Sequence, residues 1–113
     1  MRVRKFQKGD AKEVSQIMRA AFRSFLAERF TKDHENRFAP SVLARRSLGK
    51  SRFCETVSFV AVAGQHVVGY IKVTSDRNGL GRLEVIGVDC EYFGKGVGSL
   101  LMKAAERFWI RKK

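Results

Sequence analysis

Proline occurs once in this sequence, at Pro40, and acidic residues are scarce: 11 Asp and Glu stand against 23 Lys and Arg, a formal net charge of +12. A chain so poor in proline, with 44% hydrophobic residues, is neither a Pro-rich linker nor a disordered polar tract. Its 113 residues suit one domain, 1–113, with one core of modest size. No apolar run nears the roughly 18 residues needed to cross a membrane. The basic start, Met1-Arg2-Val3-Arg4-Lys5, is not followed by an apolar stretch. A signal peptide is therefore not expected, and the cytoplasm is the default compartment. Two cysteines, Cys54 and Cys90, and two scattered histidines exclude a disulfide framework and a zinc site. No metal site is expected, and the thiols read as free and buried. The shortage of acid leaves a basic surface that attracts polyanions, whether nucleic acid or a multiply phosphorylated cofactor. Because Lys and Arg are spread along the chain, with no long run interleaved with aromatics, nucleic acid is an open partner but not the favoured one.

What is present is periodic. Val3 to Phe6 reads as a short strand. Asp10, with Glu13 three residues on, resembles a capping box. Val14, Ile17, Met18, Ala21, Phe22, Phe25 and Leu26 then recur at steps of three and four, which predicts a helix over 11–28. Residues 30–38 are polar and read as a loop. Pro40 opens a second helix that Gly49 ends. Residues 56–63 and 66–74 are rich in β-branched and aromatic residues around Gly64-Gln65, and predict a hairpin. After a turn-forming stretch, Arg82 to Asp89 predicts another strand. Its apolar residues fall on both faces, so it is expected to be central and covered on both sides. Val97, Leu100, Leu101, Ala104, Ala105, Phe108 and Trp109 predict a last helix over 96–110. Phe22, Phe25, Phe59, Phe108 and Trp109 are the expected aromatic core.

Between the last strand and the last helix lies Phe93-Gly94-Lys95-Gly96-Val97-Gly98. A buried strand, a Gly-rich loop and a helix in series form an anion-binding device. The first helical turn has N–H groups without internal partners, and the helix dipole favours negative charge there. Glycine lets a phosphate approach the backbone and permits positive φ. Lys95 adds a point charge. The spacing G-x-G-x-G is not the G-x-G-x-x-G of dinucleotide-binding folds, and Lys95 is followed by Gly96 rather than the Ser or Thr of a P-loop.

The run from Val88 through Asp89-Cys90-Glu91-Tyr92 to Leu101 resembles motif A of the GNAT N-acetyltransferases: an apolar strand end, a polar bend, then a Gly-rich segment opening a helix. The β-α-α-β-β-β-α order is similar to the same family across nearly the whole chain. The resemblance implies an α/β (α+β) fold with a mostly antiparallel central sheet flanked by helices. It also implies that the family's usual C-terminal strand-helix-strand-strand part is missing here, and with it one wall of the cofactor cleft and a helix that often supplies a Tyr as general acid.

The activity implied is transfer of an acetyl group from acetyl-CoA to a primary amine, on a small molecule or peptide, by direct attack. The backbone at Ile86 and Val88 is expected along the pantetheine arm. Phe93, Gly94, Lys95, Gly96, Val97, Gly98 and Ser99 are expected around the pyrophosphate. Phe93 occupies a place where the family prefers Gln or Arg. Glu84 is the candidate general base, since an acceptor amine must lose its proton before it attacks. By period-two alternation Glu84 shares a face with Ile86 and Val88. The Val88 N–H is the expected oxyanion donor. His34, His66, a Cys90 acyl intermediate, and Tyr70 or Tyr92 as proton donor are weaker candidates. The alternative is a non-catalytic module of the same fold that binds CoA, forms dimers or associates with nucleic acid. An unprotected strand edge leads us to expect a homodimer.

Overall fold

The computed structural model describes residues 1–112. The elements are β1 (Arg2–Lys5), α1 (Ala11–Leu26), α2 (Lys32–Arg37), α3 (Pro40–Arg46), β2 (Gly49–Lys50), β3 (Cys54–Ala63), β4 (His66–Asp76), β5 (Gly81–Val88) and α4 (Val97–Arg111). One antiparallel sheet runs β1-β3-β4-β5, and β2 pairs with β3. The expected α+β architecture is present. Among the described residues no helix is long and apolar enough to cross a membrane.

Strand alternation splits the core into two layers. Val60, Val62, Val67 and Tyr70 point toward α1 and α3, where they meet Val14, Ile17, Met18 and Leu43. Phe59, Ala61, Ile71 and Val73 point the other way and meet Val97, Leu101, Ala105 and Phe108 of α4. Each fully buried apolar side chain of this kind contributes about 1.5–3 kcal/mol. Three glycines, Gly69, Gly81 against Trp109, and Gly87, set how closely the helices approach. A Cβ at Gly69 would sit 2.8 Å from a Val97 methyl, and one at Gly87 would strike the Met18 sulfur. Tyr70 is buried in the first layer, but its hydroxyl is within hydrogen-bond distance of Ser47 Oγ at 2.8 Å and Ser58 Oγ at 3.0 Å.

Several sequence expectations change. The predicted loop at 30–38 contains α2. Thr31 caps it by accepting from the His34 amide, while the Thr31 amide donates to His34 Nδ1. His34 is thus a capping residue. Gly49 does not end α3, which stops at Ser47; Gly49 instead pairs with Thr56. Phe25 is 85% exposed, because the last turns of α1 run past the sheet, whereas Phe59 and Phe108 are buried as expected. The thiols are not buried: Cys54 is half-buried and Cys90 exposed. Strand β5 is not central. Among the described residues it pairs with β4 alone, and Leu83 is exposed.

Asp10 does not form the expected box with Glu13. Its carboxylate turns back to accept from both terminal nitrogens of Arg4, at 2.8 and 2.9 Å, and from the Gln7 amide at 2.8 Å. Glu13 instead accepts from the Val67 amide at 3.1 Å and so ties α1 to β4. Burial pushes the Asp10 carboxyl up, but the Arg4 and Gln7 hydrogen bonds outweigh it and hold it below the ordinary carboxylate range. Because the folded value is the lower one, the stabilisation is complete above the unfolded pKa of about 3.9 and is lost as pH falls through the folded value. Asp10→Asn should lower stability by about 2 kcal/mol at pH 7. The gap from wild type, measured by urea unfolding across pH, should narrow only below about pH 4.

Candidate active site

The segment between β5 and α4 turns by hydrogen bonds of its own. Asp89 Oδ1 accepts from the Glu91 amide at 3.0 Å, and the Tyr92 amide donates to Asp89 O at 2.8 Å. The Phe93 amide donates to Cys90 O and the Lys95 amide to Tyr92 O, each at 3.3 Å. Gly94 and Gly96 have φ of 77° and 81°, the left-handed region that favours glycine. Gly96 caps α4, whose first internal bond runs from the Leu100 amide to Gly96 O at 3.1 Å. Among the described residues, the amides of Gly94, Gly96, Val97, Gly98 and Ser99 have no backbone partner. A Cβ at Gly94, Gly96 or Gly98 would meet no atom within 4 Å, so the space in front of these amides is open.

That space belongs to a cleft of about 640 Å³ between the end of α1, the edge of β5 and the start of α4. Ile86, Val88, Phe93, Gly94, Gly96, Val97, Gly98 and Ser99 line it. Lys95 does not; its ammonium lies 5.3 Å from the centre of the Tyr92 ring. Around Phe25 and Tyr92 the cleft is continuous with a second hollow of about 960 Å³, which Glu13, His66 and Cys90 help to line.

The edge of β5 has a definite polarity. The Asp89 amide donates to Val68 O at 2.9 Å, and the register pairs Gly87 with Tyr70 and Val85 with Lys72. Antiparallel bonding alternates, so the N–H and C=O groups of Ile86 and Val88 face away from β4, toward the free side.

Glu84 is placed elsewhere. The register shifts between Lys72, opposite Val85, and Val73, opposite Leu83, so Glu84 is an extra residue in β5. This bulge breaks the period-two count on which the shared face of Glu84, Ile86 and Val88 rested. Ile86 and Val88 pack with the α4 layer, while Val85 packs with the α1 layer. Glu84 accepts from Thr74 Oγ1 at 3.4 Å and lines a separate pocket of about 500 Å³ beside Tyr70, Lys72 and Val85. The two cavities meet at neighbouring residues of β5. They are divided by Phe22, on the cleft side, against Phe38, with ring centres 4.7 Å apart.

A family model described as the Acetyltransferase (GNAT) family matches residues 13–112. The chain belongs to the GNAT acetyltransferase family. No curated protein matches the sequence. Among solved structures, PaiA N-acetyltransferase from Thermoplasma acidophilum in complex with coenzyme A aligns with a TM-score of 0.76 at 17% identity, over 97% of this chain and 72% of that one. A GNAT family acetyltransferase from Brucella melitensis in complex with acetyl-CoA aligns with a TM-score of 0.69 at 25% identity, over 95% and 66%. An aminoglycoside 6'-N-acetyltransferase complexed with coenzyme A gives 0.69 at 13% identity, over 99% and 57%.

The α1 side of this GNAT chain's cleft, Ala21, Phe22 and Phe25, was missed from the sequence because its residues continue the apolar period of a core helix. The other weak candidates separate by environment. Tyr70 is buried with its hydroxyl engaged by two serines, and burial pushes its pKa up. The His66 side chain is 82% exposed, with Nδ1 at 3.7 Å from Glu13.

The loop glycines make opposite predictions. Gly96→Ala forces a β-carbon onto a left-handed residue and should destabilise by about 1 kcal/mol. Gly98→Ala, inside α4 with open space at its Cβ, should stabilise by about 0.5 kcal/mol. Urea midpoints at constant slope check both.

Proposed function

We propose that this chain is an N-acetyltransferase that transfers an acetyl group from acetyl-CoA to a primary amine by direct attack. The observation that carries this reading is the set of unpartnered amides at Gly94, Gly96, Val97, Gly98 and Ser99, opening onto a cleft that runs along the free edge of β5. Linked phosphates suit those amides and the α4 dipole, and a Cβ would project into the space they need. The outward-facing N–H and C=O groups at Ile86 and Val88 suit an amide-bearing arm lying along the edge like an added strand. Phe22, Phe25 and Ile86 give that arm an apolar wall.

When bound, acetyl-CoA supplies an activated acyl group on a thiol leaving group. The chain's own residues supply proton handling and polarisation. Glu84, at the bulge, accepts the proton of the acceptor ammonium, directly or through water, and frees the nitrogen lone pair. The Val88 amide donates toward an oxygen at the open edge and holds the charge that develops there. The bulge gives Glu84 a pocket next to the cleft rather than inside it, so amine and acyl group approach from neighbouring cavities that meet at β5.

One observation favours the alternative of a CoA-binding module without turnover. Phe93 is 65% exposed beside the loop, where a Gln or Arg would add a donor. Thermal unfolding with acetyl-CoA separates the readings. At a hundred times Kd a ligand of the native state adds about 2.7 kcal/mol and raises Tm. Gly96→Asp should abolish that shift. Glu84→Gln should keep it and lower amine-dependent thiol release by about 10²–10⁴. An unchanged rate in Glu84→Gln removes the base assignment, and a Tm shift without thiol release from any amine supports the module.

The unpaired edge of β5, with Leu83 and Phe93 exposed, also favours a homodimer. Light scattering at micromolar concentration should give twice the chain mass, and a monomer would remove that expectation.

A further inference from the structure

The pocket that holds Glu84 has a charge of its own. Arg37 closes α2, Arg45 and Arg46 close α3, and all three line the pocket. Lys72 rises from β4 beside them, half-buried. Among the described residues, none of these four cations makes an ion pair within 4.0 Å or a side-chain hydrogen bond. They act on one another. Burial lowers the Lys72 pKa, and Arg46 and Arg37 push it further down, against the opposing effect of Glu84. The pocket is therefore lined by four unpaired cations and one carboxylate, which repels a polycationic acceptor and attracts an anion.

Resting on the acetyltransferase reading above, we infer that the acceptor is a small amine that also carries a carboxylate or phosphate. Its amine lies toward Glu84, and its anion lies among Arg37, Arg46 and Lys72. Guanidinium forks suit planar or tetrahedral oxyanions through paired N–H donors, and Lys72 adds a point charge from below. The Phe22–Phe38 wall separates this anion from the cleft assigned to the phosphates of acetyl-CoA. The two anionic molecules thus enter by different doors. A chain with net charge +12 draws both in, and the local arrangement sorts them.

Matched ligands that differ by one anionic group test this: tyrosine against tyramine, and phosphoethanolamine against ethanolamine. Binding is read from amide NMR shifts in full-length protein with coenzyme A present. The anionic member of at least one pair should bind about tenfold tighter or better and shift residues 70–74 and 84–85. The two pairs distinguish carboxylate from phosphate recognition. That advantage should shrink as salt is raised. Arg37→Gln with Arg46→Gln, both exposed side chains, should erase it and leave the acetyl-CoA Tm shift intact. Lys72→Met, checked for folding by circular dichroism, should weaken it. Equal affinity within both pairs, or an advantage that survives the double variant, overturns the proposal. Thiol release on the same pairs tests the underlying reading separately. Anion-selective binding without release sinks the enzyme and leaves the pocket, whereas turnover without anion preference does the reverse.

Discussion

Between Val88 and Ser99 the backbone leaves a sheet edge and enters a helix, and five amides along that passage find no backbone acceptor in the described chain. Unmet donors at a helix start attract an anion or water. Gly94 and Gly96 make the passage sterically allowed, because a side chain at positive φ would be strained there. Val97 and Leu101, packed beneath against β4, hold the start of α4 in place. A rigid helix under a glycine turn keeps the donors aimed outward instead of letting them fold back onto the chain.

The second constraint is one extra residue in β5. Without the bulge at Glu84, its carboxylate would follow Ile86 and Val88 into the α4 layer. With it, the edge groups and the carboxylate line two neighbouring cavities beside a strand that, among the described residues, pairs on one side only. The cost of an unpaired edge, a row of open N–H and C=O groups, is then also its use. The Phe22–Phe38 pair keeps the cavities apart, so the basic pocket is not simply an extension of the cleft beside the glycine turn.

The strong periodicities were legible from the start. Residues 11–26 and 97–111 form helices because their apolar steps of three and four give each a buried face, and the hairpin around Gly64-Gln65 follows from its flanking β-branched runs. The loop could be read because its chemistry is main-chain chemistry signalled by glycine. The residues that misled share one reason. Phe25 continues the helical period, yet α1 outruns the sheet and leaves it exposed. Asp10 has the spacing of a cap, yet Arg4 on the adjacent strand is the stronger partner. Thr31 caps a helix of only six residues, too short to show a period.

By itself the sequence determined the two long helices, the three long strands and the Gly94–Gly98 turn, because these depend on local periodicity and backbone freedom. The tertiary structure decided which face Glu84 occupies and that Arg37, Arg46 and Lys72 share one pocket. Those facts depend on register and on contacts between residues far apart in the chain. No local pattern encodes a one-residue bulge or the meeting of two helix ends over a strand.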